Sequence, residues 1–95
     1  MNVIITYDIK RNHTEIKDEL KRLGYVDTIK GISLSDNKTP VDQKLPNTTL
    51  IKYGVTSTLE VMNFVIGVIK EHNGGLDNIF CAELAVTFSW NGRQS

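Results

Sequence analysis

The sequence predicts an α+β fold of order β-α-β-β-α-β, in which a four-stranded antiparallel sheet carries two helices on one face. Three observations lead there. Short β-branched and aromatic runs read as strands, two capped stretches with apolar residues at helical spacing read as helices, and 95 residues with 40% hydrophobic content supply one core. A chain of this length buries only about 60–65% of the surface its unfolded form exposes, so both helices must share the single sheet face.

Val3, Ile4, Ile5, Thr6 and Tyr7 form strand one, which reads as mid-sheet and ends in the polar Asp8-Ile9-Lys10-Arg11-Asn12 segment. Asn12 and Glu15 have capping-box spacing, and Ile16, Leu20 and Leu23 recur at i, i+4, i+7 between charged residues. Helix one is therefore amphipathic with a narrow apolar stripe, and Gly24 supplies its left-handed cap. Strand two covers residues 25–34, where Val26, Thr28, Lys30, Ile32 and Leu34 alternate with a mixed set. From 35 to 47 the chain holds mainly Asp, Asn, Lys and Gln together with both prolines, Pro40 and Pro46, and reads as one long loop.

Strand three covers 48–53 and Gly54 closes it. Ser57 and Glu60 form a second capping box, and helix two runs from Thr58 to about His72, stopping at Asn73-Gly74-Gly75. Strand four covers 79–90, with Phe80, Ala82, Leu84, Val86, Phe88 and Trp90 on one side by period two. The arrangement is a ferredoxin-like split-βαβ sandwich forming a single domain over residues 1–95.

Composition excludes several classes of function. Lys+Arg and Asp+Glu number 11 each, so no global charge drives the chain onto nucleic acid or an anionic membrane. Up to Thr56 there are 9 basic and 7 acidic residues, and beyond it 2 and 4, so any phosphate contact is confined to a local patch. The basic residues Lys10, Arg11, Lys17, Lys21 and Arg22 cluster around helix one, but interleaved Glu15, Asp18 and Glu19 also fit a solvated face with an Asp18–Arg22 pair. A single cysteine, Cys81, forms no intramolecular disulfide and reads as a buried thiol, which together with the absence of a signal-peptide pattern points to the cytoplasm. The longest apolar stretch, 61–69, is broken by Asn63 and is too short to span a bilayer. His13 and His72 lack ligand-spaced companions, which argues against zinc, and both read as exposed. No glycine-rich phosphate loop or nucleophile elbow occurs, so no nucleotide cofactor is expected.

Helix two carries more apolar surface than a one-sided helix needs. Leu59, Met62, Ile66 and Ile69 form one stripe, and Val61, Val65 and Val68 form another, with Phe64 between. Either the helix packs centrally, against helix one and the sheet together, or the second stripe meets another subunit. Strand four is long enough to overrun the sheet and pair with a partner chain. These features predict a homodimer whose interface includes Val61, Val65, Val68, Phe88 and Trp90.

Asp8 is the most informative residue for chemistry. A carboxylate at the end of a buried strand, before a turn with Lys10, Arg11 and His13, either starts an Asx turn or ligates a divalent cation. Mg²⁺ held there by Asp8 of two protomers would activate water for phosphodiester cleavage, with Tyr7 supporting the site and Lys10, Arg11 and His13 contacting phosphate.

The run Val3-Ile4-Ile5-Thr6-Tyr7-Asp8-Ile9, followed by a charged helix ending at Leu23-Gly24, resembles the start of the CRISPR-associated protein 2 family and its non-CRISPR relatives, in length and element order as well. The resemblance implies a ferredoxin-like domain that dimerises, an aspartate at Asp8 across the two-fold linked to Mg²⁺-dependent nuclease activity, and members that only hold DNA. It is specific over residues 1–24. The family's usual strand-two segment is replaced by Asp27-Thr28-Ile29-Lys30-Gly31-Ile32, and residues 35–47 look like an insertion. Two functions are therefore expected in competition: a dimeric protein that binds DNA or RNA, with metal-dependent endonuclease activity at Asp8, or a non-catalytic assembly module docking through the valine face or strand four.

Overall fold

The computed structural model describes residues 1–32 and 40–84. In chain order its elements are β1 (Val3–Ile9), α1 (His13–Arg22), β2 (Thr28–Ile32), β3 (Pro40–Lys44), β4 (Thr49–Lys52), α2 (Thr58–Glu71) and β5 (Leu76–Glu83). The fold is α+β: β1 is the middle of a three-stranded antiparallel sheet of order β4-β1-β5, and β2 and β3 form a separate two-stranded unit.

Alternation along β1 sets the layers. Val3, Ile5, Tyr7 and Ile9 are buried, and they share one cluster with Ile16 and Leu20 of α1 and Val61, Val65, Val68 and Ile69 of α2. Thr6 and Asp8 point the other way and are exposed. Each fully buried aliphatic side chain in that cluster contributes roughly 1.5–3 kcal/mol. Among the described residues no helix is long and apolar enough to cross a membrane.

The expected second strand behaves differently from the sequence reading. Only Val26 reaches the sheet, exchanging backbone hydrogen bonds with Ile51 of β4 at 2.9 and 2.8 Å. The following residues pair with β3 instead, in the register Thr28↔Lys44 to Ile32↔Pro40, and the Leu45 N–H donates to the Asp27 carbonyl at 2.9 Å. Part of the expected 35–47 loop is thus a strand. Its polar sequence hides it, because its order comes from the ladder that β2 offers; Pro40 sits at its first position, where a missing N–H is tolerated. Residues 35–39 of that expected loop, and 33–34 at the end of the expected second strand, lie outside the described residues.

The helix ends show which capping signals hold. Ser57 Oγ accepts from the N–H groups of Leu59 and Glu60, while Glu60 takes a hydrogen bond from Thr56 Oγ1. Asn12 does not cap α1 with its side chain: its backbone is left-handed (φ 61°) and its Nδ2 donates across the molecule to the His72 carbonyl at 2.8 Å. Both helices close with a Schellman pair of hydrogen bonds, Tyr25 N–H to Leu20 O at the end of α1 and Gly74 N–H to Ile69 O at the end of α2. Gly24 (φ 98°) and Asn73 (φ 54°) hold the left-handed positions.

Candidate functional site

Asp8 lies on the open face at the end of β1, opposite Asn78 of β5 and next to the Thr6↔Phe80 pair. The ladder slips between Asp8 and Ile9, so the strand turns away just past the carboxylate. A depression of about 320 Å³ opens there, lined by Thr6, Asp8, Asn78 and Phe80 among others. Among the described residues Asp8 makes no ion pair, and no three His, Cys, Asp or Glu side chains gather as a metal site. One chain offers one carboxylate at this point, whereas Mg²⁺ takes one or two carboxylates with waters and phosphate oxygens, so a second copy would supply the second.

Tyr7 cannot support Asp8, because adjacent strand residues face opposite ways: its ring is in the core and its hydroxyl is buried without a hydrogen-bond partner among the described residues. Burial pushes that phenol above its ordinary pKa. Lys10 and Arg11 are exposed and make surface contacts within the chain. Lys10 pairs with Asp77 at 3.5 Å, and Arg11 Nη1 donates to the Asn73 carbonyl at 2.9 Å, fastening the end of β1 to the turn after α2. His13 is exposed at the first position of α1. His72 is half-buried rather than exposed, because its ring meets Glu15. Arg22 pairs with Glu19 through two hydrogen bonds of 2.8 and 2.7 Å, in place of the expected Asp18.

Among the described residues the densest charge cluster lies elsewhere, at Asp27. This residue is only 6% exposed, and its Oδ2 receives Lys44 Nζ at 2.9 Å, Lys21 Nζ at 3.4 Å and Lys17 Nζ at 3.5 Å. Burial alone would push the carboxyl up, but the Lys44 hydrogen bond and the charges of Lys21, Lys44 and Lys17 outweigh it and hold the pKa at about 2. Lys17 and Lys21 are one turn apart on α1, a like-charge placement that the carboxylate between them relieves. Among the described groups at this point three cations meet one anion, with the Lys21 and Lys44 side chains about half exposed. The i,i+4 lysines were visible in the sequence. Lys44 was not, because its approach depends on the β2–β3 pairing.

Two residues before Asp27, Tyr25 is buried under Phe64 of α2, with ring centroids 6.0 Å apart and planes within 5°. Lys52 Nζ lies 5.5 Å from the Tyr25 centroid and also donates to the Leu23 carbonyl at 3.3 Å. A hollow of about 630 Å³ opens beside Phe64.

The expected interface valines face inward. Val61, Val65 and Val68 are core residues, and the outer side of α2 instead shows Leu59, 63% exposed, and Phe64, 47% exposed. The reason is that the valine stripe faces the sheet, so the residues expected to meet a partner are already covered by this chain. Phe88, Trp90 and the end of the expected fourth strand lie outside the described residues. Phe80, which the period-two reading placed with them, is 61% exposed on the open face of the sheet. Cys81, opposite Ile5, packs half-buried against the core, and burial raises its thiol pKa. No protein-family model, curated protein or solved structure matches this chain.

Proposed function

We propose that this chain is a nucleic-acid-binding protein of ferredoxin-like fold, which holds backbone phosphates with the lysines gathered at Asp27. The observation that carries the reading is the Lys17–Lys21–Lys44 cluster: three ammonium groups from two separate elements, preordered by one buried carboxylate. A globally neutral chain binds a polyanion through such a local surplus, and a pre-oriented lysine loses less entropy on contact. The strand order β4-β1-β5, with Val26 bridging β4 antiparallel on its far edge, supports the split-βαβ assignment. Binding of a fluorescent single-stranded oligonucleotide to the full chain tests the reading. The expected result is salt-sensitive affinity, with the double substitution Lys21→Gln, Lys44→Gln lowering the dependence of log K on log salt by about 1.5. Salt-insensitive binding, or the same slope in the variant, overturns it.

A second reading is favoured by Phe80, a large exposed ring one register step from Asp8. A second copy seated on this open face would cover Phe80 and bring two Asp8 carboxylates together, giving a Mg²⁺-dependent phosphodiesterase only as a homodimer. Sedimentation with and without Phe80→Lys, alongside an NMR-followed Mn²⁺ titration of Asp8 and its neighbours, checks it. A monomer at all concentrations, or no Asp8-centred broadening, excludes this reading and leaves the lysine cluster untouched.

A further inference from the structure

We propose that the hollow beside Phe64 is a stacking subsite for one nucleobase, so that the strand held at the Asp27 lysines is single-stranded. This inference rests on the phosphate-binding reading above and adds to it the kind of nucleic acid bound.

The Tyr25–Phe64 stack is closed on the Tyr25 side, where that ring is buried, and open on the other, where Phe64 keeps about half its surface. An aromatic ring held parallel to a buried neighbour is fixed in orientation before any ligand arrives, which is what a sequence-tolerant base platform needs. At about 630 Å³ the hollow is within the range that accommodates small-molecule-sized groups. Gly54, one of its lining residues, leaves open space there, since a side chain begun at it would meet nothing within 4 Å.

The polar groups at the hollow differ from those at the lysine cluster in a way that selects a base. Asn63 offers an amide donor and acceptor, and Glu60, already holding Thr56 Oγ1 at 2.9 Å, offers a carboxylate. A carboxylate repels phosphate but accepts from exocyclic amino groups. The positive groups belong to the same segment: Lys52 stands over Tyr25, and the three lysines meet at Asp27, two residues on. A nucleotide spanning this segment puts its base against Phe64 and its phosphate toward the lysines. A paired base in a duplex has both faces covered by its neighbours and has no free face to offer.

The test compares three probes of equal length on the full chain: a single-stranded oligonucleotide, an abasic phosphodiester strand, and a duplex. The expected result is that the single strand binds about tenfold more tightly than the abasic strand, that Phe64→Leu removes this difference, and that Phe64→Trp keeps it. Phe64→Leu retains apolar bulk at a half-exposed position, so both variants fold. Equal, salt-sensitive binding of single strand and abasic strand overturns the subsite while leaving the lysine reading intact. Loss of all salt-sensitive binding overturns both.

Discussion

His72 Nδ1 lies 2.9 Å from Glu15 Oε1, joining the C-cap of α2 to the first turn of α1. Asn12 reinforces the junction from the same end of α1 by donating to the His72 carbonyl. The hydrogen bond to Glu15 raises the imidazole above its ordinary value of 6.5; lost solvation opposes it, and the charges of Glu15, Glu71 and Glu19 add to it. A folded pKa above the unfolded one means that this contribution to stability is fully present below about pH 6.5 and is lost as pH rises through the elevated value. Urea unfolding across that window should show the wild type losing stability as pH rises, while His72→Gln shows a flatter profile. Parallel profiles would mean that the junction carries no linked proton.

The opposite sign applies at Asp27. Its carboxyl is depressed from 3.8 to about 2, so its contribution is present above about pH 3.8 and lost as pH falls toward 2. At neutral pH the shift corresponds to roughly 2 kcal/mol, and Asp27→Asn should lower stability by about that amount. The same substitution removes both the anion that opposes phosphate and the carboxylate that orders the three lysines, so the salt dependence of oligonucleotide binding should change with it even as the fold weakens. A cluster that exists only to hold the β2–β3 unit against α1 would show the stability loss with unchanged binding and an unchanged salt dependence.

What the sequence disclosed, and what it concealed, divides along local and non-local order. β1 and both helices were legible because periodicity, Ser57, Gly24 and the Asn73-Gly74 stop act within a few residues. Which stripe of α2 turns inward was not, since Leu59, Met62 and Ile66 are as apolar as Val61, Val65 and Val68; the position of the sheet decides it. The Asn12 capping box failed for a similar reason, because a tertiary acceptor, the His72 carbonyl, took the amide. At the site, Asp8 was recognisable as a carboxylate ending a strand. The Asp27 cluster was hidden, because Lys44 is 17 positions away and reaches it only through a pairing made by a polar strand.

Tyr7 makes a test of the core itself. Its hydroxyl oxygen is buried with no hydrogen-bond partner among the described residues, and a hydroxyl desolvated without compensation costs about 1–3 kcal/mol. Tyr7→Phe keeps the ring and deletes the uncompensated group, so chemical denaturation should show a gain of roughly 1 kcal/mol. A loss of similar size would place an internal water or a shifted acceptor at that oxygen.

Two glycine substitutions should move stability in opposite directions, because their surroundings differ. A Cβ on Gly74 would stand 2.5 Å from Ile16 Cδ1 and 2.8 Å from Ile69 Cγ2, both fully buried, at the point where α1 and α2 come together over the end of β1. The Gly74 carbonyl also accepts from the N–H groups of Lys10 and Arg11, so its backbone cannot retreat without breaking those bonds. Gly74→Ala is therefore an overpacking change and should cost about 1–3 kcal/mol. Gly67 is in the interior of α2 with nothing within 4 Å of an added Cβ. Alanine there removes backbone freedom from the unfolded chain without a clash, so Gly67→Ala should stabilise by roughly 0.5–1 kcal/mol. Thermal unfolding of the two variants side by side measures the difference. A neutral Gly74→Ala would mean that Ile16 and Ile69 can separate at little cost, and that the α1–α2 contact is looser than the packing around Gly74 requires.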